Sequence, residues 1–216
     1  AVCHSGAGIA SMALLKEDPQ LIDVVESSYQ GVSNVMDEIG VNGGWIEGRG
    51  YWGYMVSHST WFMEAVNRST DGAFNLFLHP RLANNLVDFV MYTMPADFCD
   101  SGKGPEGDSW MVNKIIAETG EQTAAWYRDT FLESDESIYD LIFRKPDVES
   151  KEPKVKSKHF RTIHWAAMQT SFTDENTVTV VCKAGENDDP HHRHLDCGQF
   201  IVNYKDNNFI SEPAKA

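Results

Sequence analysis

The chain has 216 residues, of which 42% are hydrophobic and 23% charged, a balance typical of globular proteins that excludes disordered and collagen-like chains. Its 18 basic and 32 acidic side chains give a net charge of −14, which argues against a nucleic-acid-binding protein because phosphate binding needs a basic face. No uncharged apolar run reaches the roughly 18 residues of a membrane span, so the sequence predicts no membrane-spanning segment.

The beginning of the chain does not have the pattern of a signal peptide. Residues 1–15 are mostly apolar but lack a basic first region, and they include His4 and a Gly-x-Gly. The start at Ala1 instead of Met, and an end just after a strand-like run, indicate a fragment of a longer protein.

Four cysteines occur without any Cys-x-x-Cys spacing, which excludes a zinc ribbon and a thioredoxin-like motif. Free buried thiols are the favoured interpretation. A bridge between Cys182 and Cys197 stays open at this stage.

The first two-thirds of the chain has the periodicity of helices. Residues 21–39 place apolar side chains at spacings of four and three, which predicts an amphipathic helix from just after Pro19 to Gly40. The same pattern predicts a helix over 82–93. Further helices are predicted over 52–66, 110–117 and 121–132. Short links between successive helices favour antiparallel hairpins, in a bundle or in a toroid of helix pairs.

The composition changes after residue 144. Residues 145–158 hold two prolines and eight charges, which predicts a solvated linker. Strands are predicted over 177–181 and 199–204, the second paired with 208–211. Helices first and antiparallel strands second predict an α+β fold, not alternating βαβ units.

The densest group of reactive side chains lies in residues 188–200. If this segment is extended, His192, His194 and Asp196 project to one face, which suits a divalent metal or a proton-transfer site. Glu212 is placed to add an oxygen ligand. Zinc normally takes at least three protein ligands, so one more would be needed; a polar turn with solvated histidines is the alternative.

A second group follows the glycine-rich segment 43–50. In a helix that begins near Tyr51, the side chains of Tyr51, Tyr54 and His58 share one face. Such a polar aromatic stripe can stack sugars and move protons, although simple aromatic packing would produce the same pattern.

These segments resemble the heparinase II/III-like family of polysaccharide lyases. Residues 192–200, His-Arg-His-Leu-Asp-Cys-Gly-Gln-Phe, resemble its His-x-His-x-Asp-x-Gly-x-Phe signature, and Ile-Ser-Glu-Pro at 210–213 resembles the turn that follows it. Residues 44–52, Gly-Trp-Ile-Glu-Gly-Arg-Gly-Tyr-Trp, are similar to the loop and helix start that carry the family's catalytic tyrosine. The likeness spans nearly the whole chain.

The resemblance implies a division of the chain into three parts. Residues 1–144 would form the C-terminal part of an (α/α) toroid, 145–158 a linker, and 159–216 the N-terminal part of an antiparallel β-sandwich.

The resemblance also implies β-elimination at a uronic acid, in which C5 loses its proton and O4 leaves. Tyr51 would act as the base, the acid or both, and His192 would face it across the domain junction. A phenol ionises only well above neutral pH, so nearby cations would be needed. The substrate-binding side chains implied are His4, Trp45, Glu47, Arg49, Tyr54, His58 and Arg193.

His194 and Glu212 match the family's metal positions, which implies a structural Zn²⁺ whose third ligand lies outside this chain. The implied partner is an acidic polysaccharide, with no nucleic acid and no membrane span, and a homodimer is compatible with it. The implied location is periplasmic or secreted, and the chain alone is expected to be inactive.

Three features depart from the family pattern, and the missing third zinc ligand is one of them. Met55 stands where some members have Arg, and His4 is the one visible candidate for the group that neutralises the substrate carboxylate. The acidic net charge favours alginate-like or sparsely sulfated uronates over heavily sulfated ones.

Three alternatives remain: a uronyl C5-epimerase, a non-catalytic glycan-binding domain, and a toroid glycoside hydrolase. The hydrolase would use carboxylates from the set Glu47, Asp97 and Asp100.

Overall fold

A computed structural model describes residues 1–134, 136–145, 147–186, 192, 196–205 and 207–211. The described residues form helices in the first two-thirds and one antiparallel sheet in the last third, which confirms the α+β class. The helices are α1 (Val2–Leu14), α2 (Ile22–Glu38), α3 (Arg49–Ser69), α4 (Asp88–Tyr92), α5 (Ser109–Thr119), α6 (Gln122–Phe131) and α7 (Ile138–Phe143). The strands are β1 (Ser157–Phe160), β2 (Trp165–Gln169), β3 (Val178–Lys183), β4 (Phe200–Tyr204) and β5 (Asn207–Ile210).

Helix α2 has the limits that the sequence predicts. Asp18 caps the 3-10 turn before it by accepting a hydrogen bond from the Gln20 N–H at 3.1 Å, and the chain leaves the helix just before Gly40. The predicted helices over 52–66, 110–117 and 121–132 are likewise confirmed, as α3, α5 and α6. The sequence does not predict helix α7.

The predicted helix over 82–93 is wrong for most of its length, because only Asp88–Tyr92 is helical. Asn85 has a φ of 55°, in the left-handed region, which breaks a right-handed helix. Leu82 and Leu86 are nevertheless buried. The apolar spacing therefore reflects burial of a series of turns and not one continuous helix.

The sequence does not predict helix α1 either. It packs against α2 and α3, and small residues make this close approach possible. A Cβ added to Gly8 would lie 2.3 Å from the Phe62 ring, and one added to Gly31 would lie 2.5 Å from the His4 ring. Contact between helices, which a single sequence does not display, therefore stabilises α1.

The sheet is an antiparallel meander in the order β1-β2-β3-β4-β5. Asn203 pairs with Asn208, which confirms the predicted hairpin, and β3 confirms the strand predicted over 177–181. Strands β1 and β2 are not predicted; β2, Trp-Ala-Ala-Met-Gln, has none of the β-branched residues that favour a strand.

The two faces of the sheet differ in burial. Side chains that alternate along the strands face the helices and are buried: Trp165, Ala167, Val181 and Ile201. The opposite face exposes large apolar side chains, among them Met168, Val178 and Phe200. The first face completes the hydrophobic core, and the second is left uncovered by the described residues.

The helical and sheet parts share one core. The Phe89 ring on α4 lies 5.3 Å from the Phe160 ring on β1 and 5.5 Å from the Trp165 ring on β2. Lys158 forms an ion pair with buried Asp88 across the same boundary. Burial raises the pKa of Asp88, and Lys158 opposes that shift.

The described part of the segment that precedes β1, residues 145–156, forms no helix or strand. The segment is held to the helical part through its backbone: the Lys151 N–H donates to the Gln122 carbonyl at 3.1 Å, and the Tyr92 hydroxyl donates to the Val155 carbonyl at 2.5 Å. Among the described residues, no helix has the length and apolar character needed to cross a bilayer.

Candidate functional site

The candidate site lies at the N-terminal end of α3, where the glycine-rich segment enters the helix. Gly48, the residue before α3, has a φ of 91°, and a Cβ there would lie 2.6 Å from the Ser101 Oγ. Only glycine allows this backbone conformation and this close approach. The start of α3 is therefore held against the loop that contains Ser101.

Tyr51, His192 and Asp100 meet at this point. The Tyr51 and His192 rings are stacked, with centroids 3.7 Å apart and planes 15° from parallel. The His192 Nδ1 lies 3.0 Å from the Asp100 Oδ2, at hydrogen-bonding distance. Tyr51 is half-buried, whereas the side chains of His192 and Asp100 are both 45% exposed.

The resemblance implies that His192 faces Tyr51 across the domain junction, and the two rings are in contact. A 3.7 Å stack leaves no space for a sugar between the rings. A ligand at this site would lie beside the stacked pair and contact the edges of both rings.

The aromatic face continues along α3. The Tyr51 and Tyr54 rings are 6.4 Å apart and edge to face, and the Tyr54 and His58 rings are 4.4 Å apart. The His58 Nδ1 lies 2.8 Å from the Tyr54 carbonyl oxygen. Tyr54 is 51% exposed, so this strip is accessible. The three side chains lie together, as the helical spacing predicts.

The other face of α3 enters the core. Its members Trp52, Val56, Ser59, Met63 and Val66 are all buried. Met55, the position at which some lyases have Arg, is also buried, at 4% exposure.

Trp45 and Glu47 precede α3 and contact each other. The Trp45 Nε1–H donates to the Glu47 Oε2 at 3.2 Å, and both side chains are partly buried. Their contact with a substrate stays a prediction.

Arg49 has surroundings that do not match its predicted contact with substrate. It is 1% exposed, and its guanidinium donates hydrogen bonds to the carbonyl oxygens of Ala96, Gly102 and Gly104. Burial lowers the pKa of Arg49, and the charge of Glu106 opposes that shift. We therefore do not count Arg49 among the groups that face a ligand.

His4 projects from α1, and its ring lies against α2 at Gly31. The contacts that the structure describes for His4 do not include Tyr51.

Three predicted residues, Arg193, His194 and Glu212, lie outside the described residues. Asp196, from the same motif, forms an ion pair with buried Lys183. The described part of the chain contains no group of three or more His, Cys, Asp or Glu side chains able to hold a metal ion. The structural Zn²⁺ thus stays a prediction, and no chemical step below depends on it.

Cys3, Cys182 and Cys197 are free thiols. Cys99 is buried, Cys3 is exposed, and Cys182 and Cys197 are not bridged.

The sequence does not predict the pairing of Asp100 with His192. Asp100 is one of three candidate carboxylates in the sequence, and 92 residues separate it from His192. Of the other two, Glu47 binds Trp45, while one carboxylate oxygen of Asp97 is buried without a hydrogen-bond partner among the described residues. No signal in one sequence connects two such distant side chains.

No protein-family model matches this sequence, and a comparison with curated proteins also finds no match.

Proposed function

We propose that this chain carries the catalytic groups of a polysaccharide lyase that cleaves uronic-acid glycans by β-elimination. One observation supports the proposal above others: the phenol of Tyr51 and the imidazole of His192 are in contact, and Asp100 lies at hydrogen-bonding distance from His192. Two groups that can exchange protons, oriented by a third, are the minimum that proton abstraction and leaving-group protonation require.

The proposed reaction follows from the acidity of the uronate C5–H. A base removes the C5 proton, the C–H electron pair forms the C4=C5 double bond, and the C4–O4 bond breaks with its electrons on O4. An acid then protonates O4. We assign the two proton transfers to Tyr51 and His192. A sugar beside the stacked rings would be in contact with both side chains at once.

The site also offers a surface for sugar rings. Tyr54 and His58 extend the aromatic strip beyond Tyr51, and aromatic faces pack against the apolar C–H faces of sugars. Asp100 and the chain's net charge of −14 disfavour a densely sulfated polymer, so we expect an alginate-like or sparsely sulfated uronate.

The finer fold assignment, toroid followed by β-sandwich, belongs to the same proposal. Contacts between successive helices, such as α1 with α2 and α5 with α6, are compatible with a toroid of helix pairs. The exposed apolar face of the sheet, at Met168, Val178 and Phe200, is what a second sheet would cover.

The test incubates the full-length protein with alginate, hyaluronan and sparsely sulfated uronate polymers, and measures the ultraviolet absorbance of the new conjugated double bond. Tyr51→Phe and His192→Ala are each expected to lower turnover by about 10²–10⁴-fold, the usual contribution of general acid–base catalysis. Binding of the polymer should be kept. Tyr139→Phe and His159→Ala, at exposed positions on α7 and β1, are matched controls that should keep full activity.

Two other results would assign a different function to the protein. Exchange of solvent deuterium into C5 without new absorbance would identify a uronyl C5-epimerase. Binding of the polymers without either change would identify a non-catalytic glycan-binding domain.

A further inference from the structure

We propose that Arg49 is a positioning residue: it holds the loop 96–104 against the start of α3 and so places Asp100 on His192. The proposal joins two sets of contacts that meet in this loop. Arg49 binds the backbone of this loop at both ends. Asp100, near the middle of the loop, lies at hydrogen-bonding distance from the imidazole of His192.

The guanidinium is inside the loop. Its Nε and Nη2 lie 3.2 and 3.0 Å from the Ala96 carbonyl oxygen, and Nη2 and Nη1 also donate to the carbonyl oxygens of Gly102 and Gly104. Three carbonyl groups separated by up to eight residues thus converge on one side chain. A planar group with five fixed N–H donors can serve three acceptors at once, which a lysine ammonium on its flexible stem cannot do in the same geometry.

A second contact fixes the middle of the loop. The Gly50 N–H donates to the Ser101 Oγ at 3.0 Å, and Cys99 has a φ of 63°. Asp100 lies between these two residues, so its backbone has little freedom to move while the loop is held. Arg49 and Gly50 are adjacent, which means that the first turn of α3 carries both contacts as well as Tyr51.

The consequence for His192 is a defined tautomer. A carboxylate only accepts hydrogen bonds, so the Asp100 Oδ2 requires the proton of the imidazole on Nδ1. In the neutral ring, Nε2 is then left as an acceptor. This inference rests on the proposed function only for the use of that nitrogen: Nε2 would be the atom that takes or returns a proton at the sugar.

The experiment records the ring ¹⁵N resonances of His192 by NMR in the full chain at neutral pH, for wild type, Arg49→Met and Asp100→Asn. Wild type should show the Nδ1–H form. Asp100→Asn should lower the ratio of Nδ1–H to Nε2–H forms by about tenfold, the usual effect of losing a hydrogen bond to a charged group. Arg49→Met should also lower this ratio. The double variant should have the same ratio as Asp100→Asn alone.

Two controls separate positioning from loss of stability. Asn113→Ala removes a different buried hydrogen-bonding side chain and should leave the His192 resonances unchanged in the folded protein. His159, exposed on β1, should keep its resonances in every variant. If Arg49→Met does not fold, Arg49→Lys should give a smaller shift in the same direction.

The proposal is overturned if a folded Arg49 variant, or Asp100→Asn, leaves the tautomer ratio of His192 as in wild type. The outcome does not depend on activity. If the NMR result is as expected but no uronate polymer is cleaved, the positioning stands and the proposed function fails. If the protein is a lyase, Arg49→Met should lower kcat with little change in KM, because Arg49 does not face the ligand.

Discussion

Replacing Glu121 by Gln is expected to stabilise the protein at neutral and alkaline pH and to have little effect near pH 4. Glu121 precedes α6, and both of its carboxylate oxygens are buried without a well-formed hydrogen bond from the described residues. Burial raises its pKa from 4.5 to about 7; Asp88 adds to this shift, while Lys158 and the nearby backbone of Asn85 and Leu86 oppose it.

The size of the effect follows from that shift. Between about pH 4.5 and 7 the folded state keeps a proton on Glu121 that the unfolded state has lost, so stability falls as the pH rises through this window. A difference from 4.5 to about 7 corresponds to about 3 kcal/mol when the loss is complete. Gln cannot ionise in either state, so Glu121→Gln removes this pH dependence.

The assay is urea unfolding followed by circular dichroism, at several pH values from about 4 to 8, for wild type and Glu121→Gln. The two free energies of unfolding should agree at the acidic end and separate as the pH rises, with the variant more stable. Glu26→Gln, at an exposed position on α2, is the matched control and should follow wild type. Parallel curves for wild type and Glu121→Gln would refute the reasoning.

Two further stability predictions follow from the packing. Lys114→Met should destabilise the fold by about 3 kcal/mol, because the Lys114 Nζ lies 2.5 Å from the Glu64 Oε2 and both groups are buried. Adding Glu64→Gln should recover part of that loss in denaturant unfolding, since Lys114 also pairs with Glu118 and Glu64 with Arg68; no recovery would contradict this assignment. Gly8→Ala should cost about 1–3 kcal/mol, since its Cβ would meet the Phe62 ring at 2.3 Å. Gly6→Ala on the same helix has open space and should stabilise by about 0.5–1 kcal/mol; equal thermal shifts for the two alanine variants would refute the prediction.

Local sequence patterns are sufficient to predict an element when its determinants lie within a few residues of one another. Helix α2 and the β4–β5 hairpin appear where the sequence predicts them, because capping at Asp18 and the alternation of side chains act within a few residues. In the segment 82–93, local sequence patterns predict the wrong backbone conformation. Leu82 and Leu86 have helical spacing and are buried, yet Asn85 turns the backbone into the left-handed region between them.

The sequence by itself determined the α+β class and the shared face of Tyr51, Tyr54 and His58, since helical geometry sets side-chain spacing within one element. Tertiary structure alone decided that Asp100 reaches His192 and that Arg49 is buried among loop carbonyls. These contacts join residues 47 to 92 positions apart. Contacts between residues so far apart in the chain depend on how the chain packs as a whole, and spacing along the sequence carries no information about them.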